Sequence, residues 1–250
     1  MQCRNVAPSA LAPPLGRKLR WRSVNSGKKD CRNSINLGNA SRTVQVDDGA
    51  AAKDAILSGV LSGTGGGLTK TGAGTLVLTA TSTYTGPTAV NAGTLLVNGN
   101  IAASSVVTVA AGATLGGSGT VGAVSVQTGG KLAPGDGVGT LTTGNLTLAD
   151  NAEILCEFSG ANSADQLVVS GLTLGANTVL RLLDAGITQT PRGKFVLIQY
   201  SGADPALGTW TVYSSVPGAP AADVQVYQDT ANHRIMLQVG RPQGSMFVVR

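Results

Sequence analysis

Charge is scarce in this chain of 250 residues. Asp, Glu, Lys and Arg together make up 12%, about half the share of roughly 25% in ordinary globular proteins. Aromatic residues are 4%, with three cysteines and a single histidine. Each scarcity excludes something. Any Ser-His-Asp triad would have to use His233, and Asn232-His233 before Arg234-Ile235-Met236-Leu237 reads as an exposed turn. Cys3, Cys31 and Cys156 are odd in number, widely spaced and without a C-x-x-C pair, so neither a disulfide framework nor a zinc site is implied. No run approaches the roughly 18 apolar residues of a membrane-spanning helix. Glycine is abundant, 35 residues, but lacks the every-third-residue period of collagen. The 42% hydrophobic content suffices for a sizeable core and argues against wholesale disorder.

The net charge of +5 is unevenly placed. Residues 1–43 hold nine of the 18 Lys and Arg and one acid, Asp30, while residues 44–250 hold the other nine bases and 12 acids. The basic stretch reads as a solvated, Pro- and Ser-containing disordered tail. No nucleic-acid motif accompanies its charges, so no nucleic-acid partner is expected. As an export signal its order is wrong: the dense basic run Arg17-Lys18-Leu19-Arg20-Trp21-Arg22 follows the weak apolar stretch instead of preceding it. The expectation is a fragment or a start that is not the true one. Residues 241–250 are expected to be a second tail.

From about Val44 onward, short β-prone runs alternate with Gly, Asn, Asp or Ser. They include Thr75-Leu76-Val77-Leu78, Leu95-Leu96-Val97, Val106-Val107-Thr108-Val109 and Val124-Ser125-Val126. Helical periodicity is scarcely visible, so the class is all-β. Gly74-Thr75-Leu76, Gly93-Thr94-Leu95, Gly112-Ala113-Thr114-Leu115 and Gly130-Lys131-Leu132 recur with glycines 19, 19 and 18 residues apart. A unit of that length cannot bury its own apolar face and must stack on copies of itself. The expected fold is a parallel β-helix (a β-solenoid) over residues 44–240, clearest at 55–135, with aliphatic ladders inside. Residues 55–239 at about 19 per coil give ten coils, about 4.8 Å each. Residues 175–240, with longer strands and more aromatics, are expected to form terminal, capping coils. Asn98-Gly99 and Asp48-Gly49 are hairpin-type dipeptides, so a β-sandwich stands as the alternative.

Residues Leu68-Thr69-Lys70-Thr71-Gly72-Ala73-Gly74-Thr75-Leu76-Val77-Leu78, followed by Tyr84-Thr85-Gly86-Pro87-Thr88-Ala89-Val90-Asn91-Ala92-Gly93-Thr94-Leu95-Leu96-Val97-Asn98-Gly99, resemble the autotransporter passenger-associated β-strand repeat. Weaker similarity continues through Val121–Leu148 and Ala164–Gly171. The resemblance implies a right-handed, single-stranded parallel β-helix in a secreted or surface-exposed bacterial protein. It carries no catalytic residues to transfer. This stretch contains no C-terminal membrane barrel of alternating strands.

Motifs of chemistry are weak throughout. Gly117-Ser118-Gly119-Thr120-Val121-Gly122 fits G-x-G-x-x-G but leads into a strand, not the helix a dinucleotide needs. Gly65-Gly66-Gly67 before Lys70 lacks the Lys-Ser/Thr ending of a phosphate loop. Gly135-Asp136-Gly137-Val138-Gly139 has one acid and no calcium-roll repetition, so Asp136 reads as a turn former. Cys156, in phase with Ile154 and Phe158, reads as a small buried hydrophobe. Glu153 and Glu157 share a strand face about 13 Å apart, too far for a glycosidase pair. The pair Glu157 and Asp184 stays open, with Arg181 as a structural partner for Glu157. Residues 55–134 contain no acid. No catalytic, cofactor or metal residues are therefore named. The expected function is a non-enzymatic structural stalk at the bacterial surface or outside the cell, with adhesion to cell-surface glycans or proteins as its expected further role. A carbohydrate-active β-helix enzyme and a truncated passenger fragment are the alternatives.

Overall fold

The computed structural model describes residues 19–21, 29–160, 163–187 and 191–240. Of the tail expected at 1–43, residues 1–18 and 22–28 lie outside the described residues, as does the tail expected at 241–250. Strands pair in parallel into a 13-stranded and a 10-stranded sheet, with a two-stranded third wall of Ile35–Asn36 and Leu61–Ser62. Consecutive strands of the chain alternate between the walls and each wall pairs one coil with the next. This is a β-solenoid, and its parallel neighbours exclude the sandwich.

One ladder shows why the sequence folds this way. Ala55, Leu76, Leu95, Leu115, Leu132, Ile154, Leu180 and Val212 stand in register along the 10-stranded sheet. The first seven are at most 1% exposed. Strand side chains alternate faces, so Thr75 and Leu96 lie half-buried on the outer face and Val77, on that face too, is covered at 2% exposure, while Leu76, Leu78, Leu95 and Val97 join the core. Burying each such leucine stabilises by about 2 kcal/mol. A second ladder on the 13-stranded sheet runs Val44, Lys70, Val90, Val109, Val126, Leu148 and Leu174.

Three expectations need correcting. Successive members of the first ladder lie 21, 19, 20, 17 and 22 residues apart, then 26 and 32. Residues 55–239 thus form eight such rungs, because the later coils carry longer strands such as Thr140–Leu148 and Ala152–Gly160. The glycine alignment also slips once: Thr94 pairs with Thr114, which sets Gly93 opposite Ala113, with Gly112 one residue earlier. Finally, the coils begin before residue 44. Leu19–Trp21 pairs with Arg42–Val46, and Lys29–Cys31 with Ala55–Leu57, all in parallel.

At the other end the strands change direction. Gly193–Tyr200 continues the 13-stranded sheet in parallel, but Arg234–Val239 and Val224–Asp229 add to it antiparallel. The edge-to-face contact of Phe158 and Phe195, centroids 5.1 Å apart, packs this end.

Candidate functional site

The polar side chains that the solenoid buries serve its own backbone. Lys70 occupies an inward position between Val44 and Val90 and is 0% exposed. The alternation Leu68-Thr69-Lys70 puts it there, in phase with Leu68. Its ammonium donates to the carbonyls of Thr71 (3.1 Å), Gly72 (2.8 Å) and Ala92 (3.0 Å), using all three hydrogens on two successive corners. Burial holds its pKa down to about 8, against the pull of Asp54 and Asp47. Asp54, itself buried, accepts the Thr75 amide at 2.8 Å. A second internal group joins three hydroxyls: Tyr84 to Thr88 at 2.7 Å, Thr88 to Ser104 at 3.1 Å, and Ser104 to the Gly86 carbonyl at 3.0 Å. Burial pushes the Tyr84 phenol up to about 12. Sequence reasoning named neither cluster as a site. The phase of Lys70 with Leu68 was the available signal for the first.

His233 is the last residue of a turn, in the left-handed region at φ 52°. Its Nδ1 lies 3.3 Å from Asp204 Oδ1, which also accepts the Tyr200 hydroxyl at 2.7 Å. No serine hydroxyl is among the contacts of His233, and its side chain is 49% exposed. The arrangement fixes a corner of the terminal hairpin, with Gln228 donating to Tyr200 Oη at 2.9 Å.

The acids of the wider coils are equally committed. Arg181 donates to Glu153, at 2.8 Å to Oε2, and lies 4.6 Å from the centre of the Tyr213 ring. The expected partner was Glu157. Register sets Arg181 opposite Leu155, diagonal to both Glu153 and Glu157, and the ion pair forms with Glu153. Asp184 accepts the amides of Gly186 and Ile187 at 2.9 and 2.7 Å and so closes a turn. Asp136 accepts from Lys53 and Asn98. Cys156 is buried with Ile154 and Phe158, and burial pushes its thiol pKa up, which suppresses the thiolate. The G-x-G-x-x-G stretch spans the ends of strands Thr114–Gly117 and Thr120–Val121. Among the described residues no three His, Cys, Asp or Glu side chains gather in a metal-holding group. No helix there is long and apolar enough to cross a membrane, which says nothing of β-barrels. On the third wall, Asn36, Asn39, Ser62, Thr64 and Thr83 help line an open polar groove of about 600 Å³. It presents side-chain amides and hydroxyls to solvent, groups that donate and accept hydrogen bonds.

The comparisons with known proteins agree with this picture. A family model, the passenger-associated-transport-repeat, matches residues 68–97, so that stretch is similar to this repeat. Over 76 residues the chain is 50% identical to an extracellular serine protease of Serratia marcescens, a match covering 30% of this chain and 7% of that protein. Over 112 residues it is 38% identical to the adhesin BmaC autotransporter of Brucella suis biovar 1 (strain 1330), covering 43% of this chain and 3% of the adhesin. The chain therefore matches a small part of the length of each relative.

Proposed function

We propose that this chain is a non-enzymatic spacer segment of a bacterial surface-exposed or secreted passenger, of the autotransporter kind. The observation that carries the reading is the unbroken ladder from Ala55 to Val212, eight rungs in one register. A column of that kind transmits force along its axis through stacked backbone hydrogen bonds. Nine strands of the 10-stranded sheet stack in parallel order, giving a rod about 40 Å long at roughly 4.8 Å per rung. Its acids and bases serve turns, corners and cross-coil pairs, which leaves the walls to thread a chain outward and to present hydroxyl and amide surfaces to glycans or proteins.

Two measurements test this. Purified chain incubated with bacterial and host polysaccharides and with casein should release no product. Hydrolysis that co-purifies with the chain would overturn the non-enzymatic reading. An epitope inserted beside the exposed Tyr213 should be labelled by antibody on intact bacteria expressing the natural gene. Labelling only after lysis would overturn the surface reading.

A further inference from the structure

In a solenoid each coil touches its neighbours only, so side-chain links across several coils are rare. One stands out. Asp136 follows strand Lys131–Pro134, yet its Oδ2 accepts from Lys53 Nζ, 83 residues earlier, and from Asn98 Nδ2 at 2.8 Å. The loop of Asp136 is pinned there by Gly135 and Gly117, which exchange amide–carbonyl bonds of 2.9 and 2.8 Å in an antiparallel bridge, against the parallel grain of the walls. Lys53 precedes the Ala55 rung and Asn98 follows the Leu95 rung. The lysine therefore reaches across the Leu76 coil, about 10 Å along the axis at roughly 4.8 Å per rung.

An amine and a carboxamide thus meet on one carboxylate oxygen. The oxygen of the carboxamide is held as well: Asn98 Oδ1 accepts the Ser118 backbone amide at 3.2 Å. The side chains of Lys53 and Asp136 are 32% and 21% exposed, so most water is kept from the contact. We propose that Lys53 and Asn98 join in an intramolecular isopeptide bond, with Asp136 carrying the proton and the Ser118 amide stabilising the oxyanion.

The parts match what the exchange of one amide for another needs. A lysine ammonium must lose a proton before it can attack, and Asp136 Oδ2 already accepts from it. The flexible lysine stem lets the freed Nζ close onto Asn98 Cγ. The new C–N bond forms and negative charge develops on Oδ1, the atom at which the Ser118 N–H is aimed. Asp136 then passes its proton to Nδ2, to which it is already hydrogen-bonded, and the Cγ–Nδ2 bond breaks. Both protons that Nζ loses leave on the departing nitrogen, as ammonium, and no oxidant or co-reactant is consumed. The rival nucleophile is the nitrogen of Gly99, which in an Asn-Gly pair closes a succinimide on the same carbon. Here that amide donates to the Leu78 carbonyl at 3.0 Å. A Cβ on Gly99 would lie 2.2 Å from the Ala80 oxygen, so the close approach of the Ala80 carbonyl demands glycine there. The product locks the Ala55 coil to the Leu95 coil over the one between them, a covalent staple that constrains the unfolded chain.

Intact-mass spectrometry of the folded full chain, incubated at neutral pH, tests this. The wild type should weigh less than its sequence by one ammonia, and a trypsin digest should yield a branched peptide joining Lys53 to Asn98. Lys53→Arg keeps a cation beside Asp136 but removes the nucleophile, and should keep its full mass. Asp136→Ala should slow the loss of ammonia by about a hundredfold or more. Full mass in the folded wild type overturns the proposal. So does a loss of ammonia that persists in Lys53→Arg, which assigns it to the Gly99 succinimide, or a loss of water in place of ammonia, which assigns the bond to Lys53 and Asp136. Should Asp136→Ala fail to fold, the wild type and Lys53→Arg decide between them.

Discussion

Leu95 and Leu96 are neighbours in sequence and opposites in environment, and truncating each in turn measures what the interior ladder contributes. Leu95 is 0% exposed, stacked between Leu76 and Leu115. Leu95→Ala removes three carbons from water-free surroundings, about 2.4 kcal/mol at roughly 0.8 kcal/mol per carbon. The rungs above and below are tied by backbone bonds and cannot collapse into the space, so a cavity term brings the cost to about 3–4 kcal/mol. Leu96 is half-buried on the outer wall beside Val77 and Gly116. Its truncation leaves no internal void and should cost about 1 kcal/mol. For a chain of this length 1 kcal/mol moves the melting temperature by about 2–4 °C, so Leu95→Ala should melt about 10 °C lower and Leu96→Ala about 3 °C lower. Circular dichroism melts supply the totals. Hydrogen exchange should place the Leu95→Ala loss in the coils of Leu76 and Leu115, since coupling runs between nearest neighbours. Equal costs for the two variants, or a larger one for Leu96→Ala, would refute the assignment of inside and outside.

Gly93 and Gly112 both adopt positive φ, 64° and 75°, but a Cβ on Gly93 would lie 2.5–2.6 Å from the carbonyl oxygens of Gly72, Ala73 and Gly74, whereas one on Gly112 meets nothing within 4 Å. Gly112→Ala should therefore cost only the left-handed penalty of about 1–2 kcal/mol, and Gly93→Ala clearly more, read from urea midpoints. Lys70 titrates at about 8 in the fold against 10.5 when free. Folding thus disfavours its charged form, and stability should rise between pH 8 and pH 10.5, a gain lost as pH falls through 8. Lys70→Met should lack that slope in urea titrations at pH 7.5, 8.5 and 9.5, and an unchanged slope would sink the assignment. Tyr84→Phe strips Thr88 of its 2.7 Å partner and should lower stability by about 1–2 kcal/mol without changing the far-ultraviolet spectrum.

Much of the column was legible in the sequence because its signal is local and repeated. Leu76, Leu95 and Leu132 each follow a glycine by two residues, and each strand presents the alternation that sends it inward. The coil count was less legible. A period measured on residues 74–130 does not hold where coils lengthen to 26 and 32 residues. Partner choice was not legible either. Arg181 takes Glu153 rather than Glu157, although the register sets both diagonal to it, and nothing in the sequence separates the two. The Lys53–Asp136 link joins residues 83 apart whose proximity depends on the whole path between them. Lys70 is the instructive case: its phase placed it inside, and only the general preference of lysine for water argued against reading the phase literally.

A column of near-identical rungs has a register problem that aliphatic packing alone does not solve. Leu95 over Leu76 and Leu115 over Leu95 are nearly the same contact, so sliding the chain by one coil exchanges one leucine stack for another at little cost. Polar groups with a single partner lift that degeneracy, because a buried donor or acceptor moved off its mate costs about 1–3 kcal/mol. Lys70 fits only where three carbonyls converge from residues 71, 72 and 92. Tyr84 reaches Ser104 only through Thr88. Asp165 needs Gly139 on one side and Glu157 on the other. The Lys70 and Tyr84 groups sit in neighbouring coils near one end of the described column, and Asp165 lies toward the other. The scarcity of charge noted at the outset is consistent with that use: a solenoid needs few ionic and polar groups inside, provided each has one place where it is satisfied.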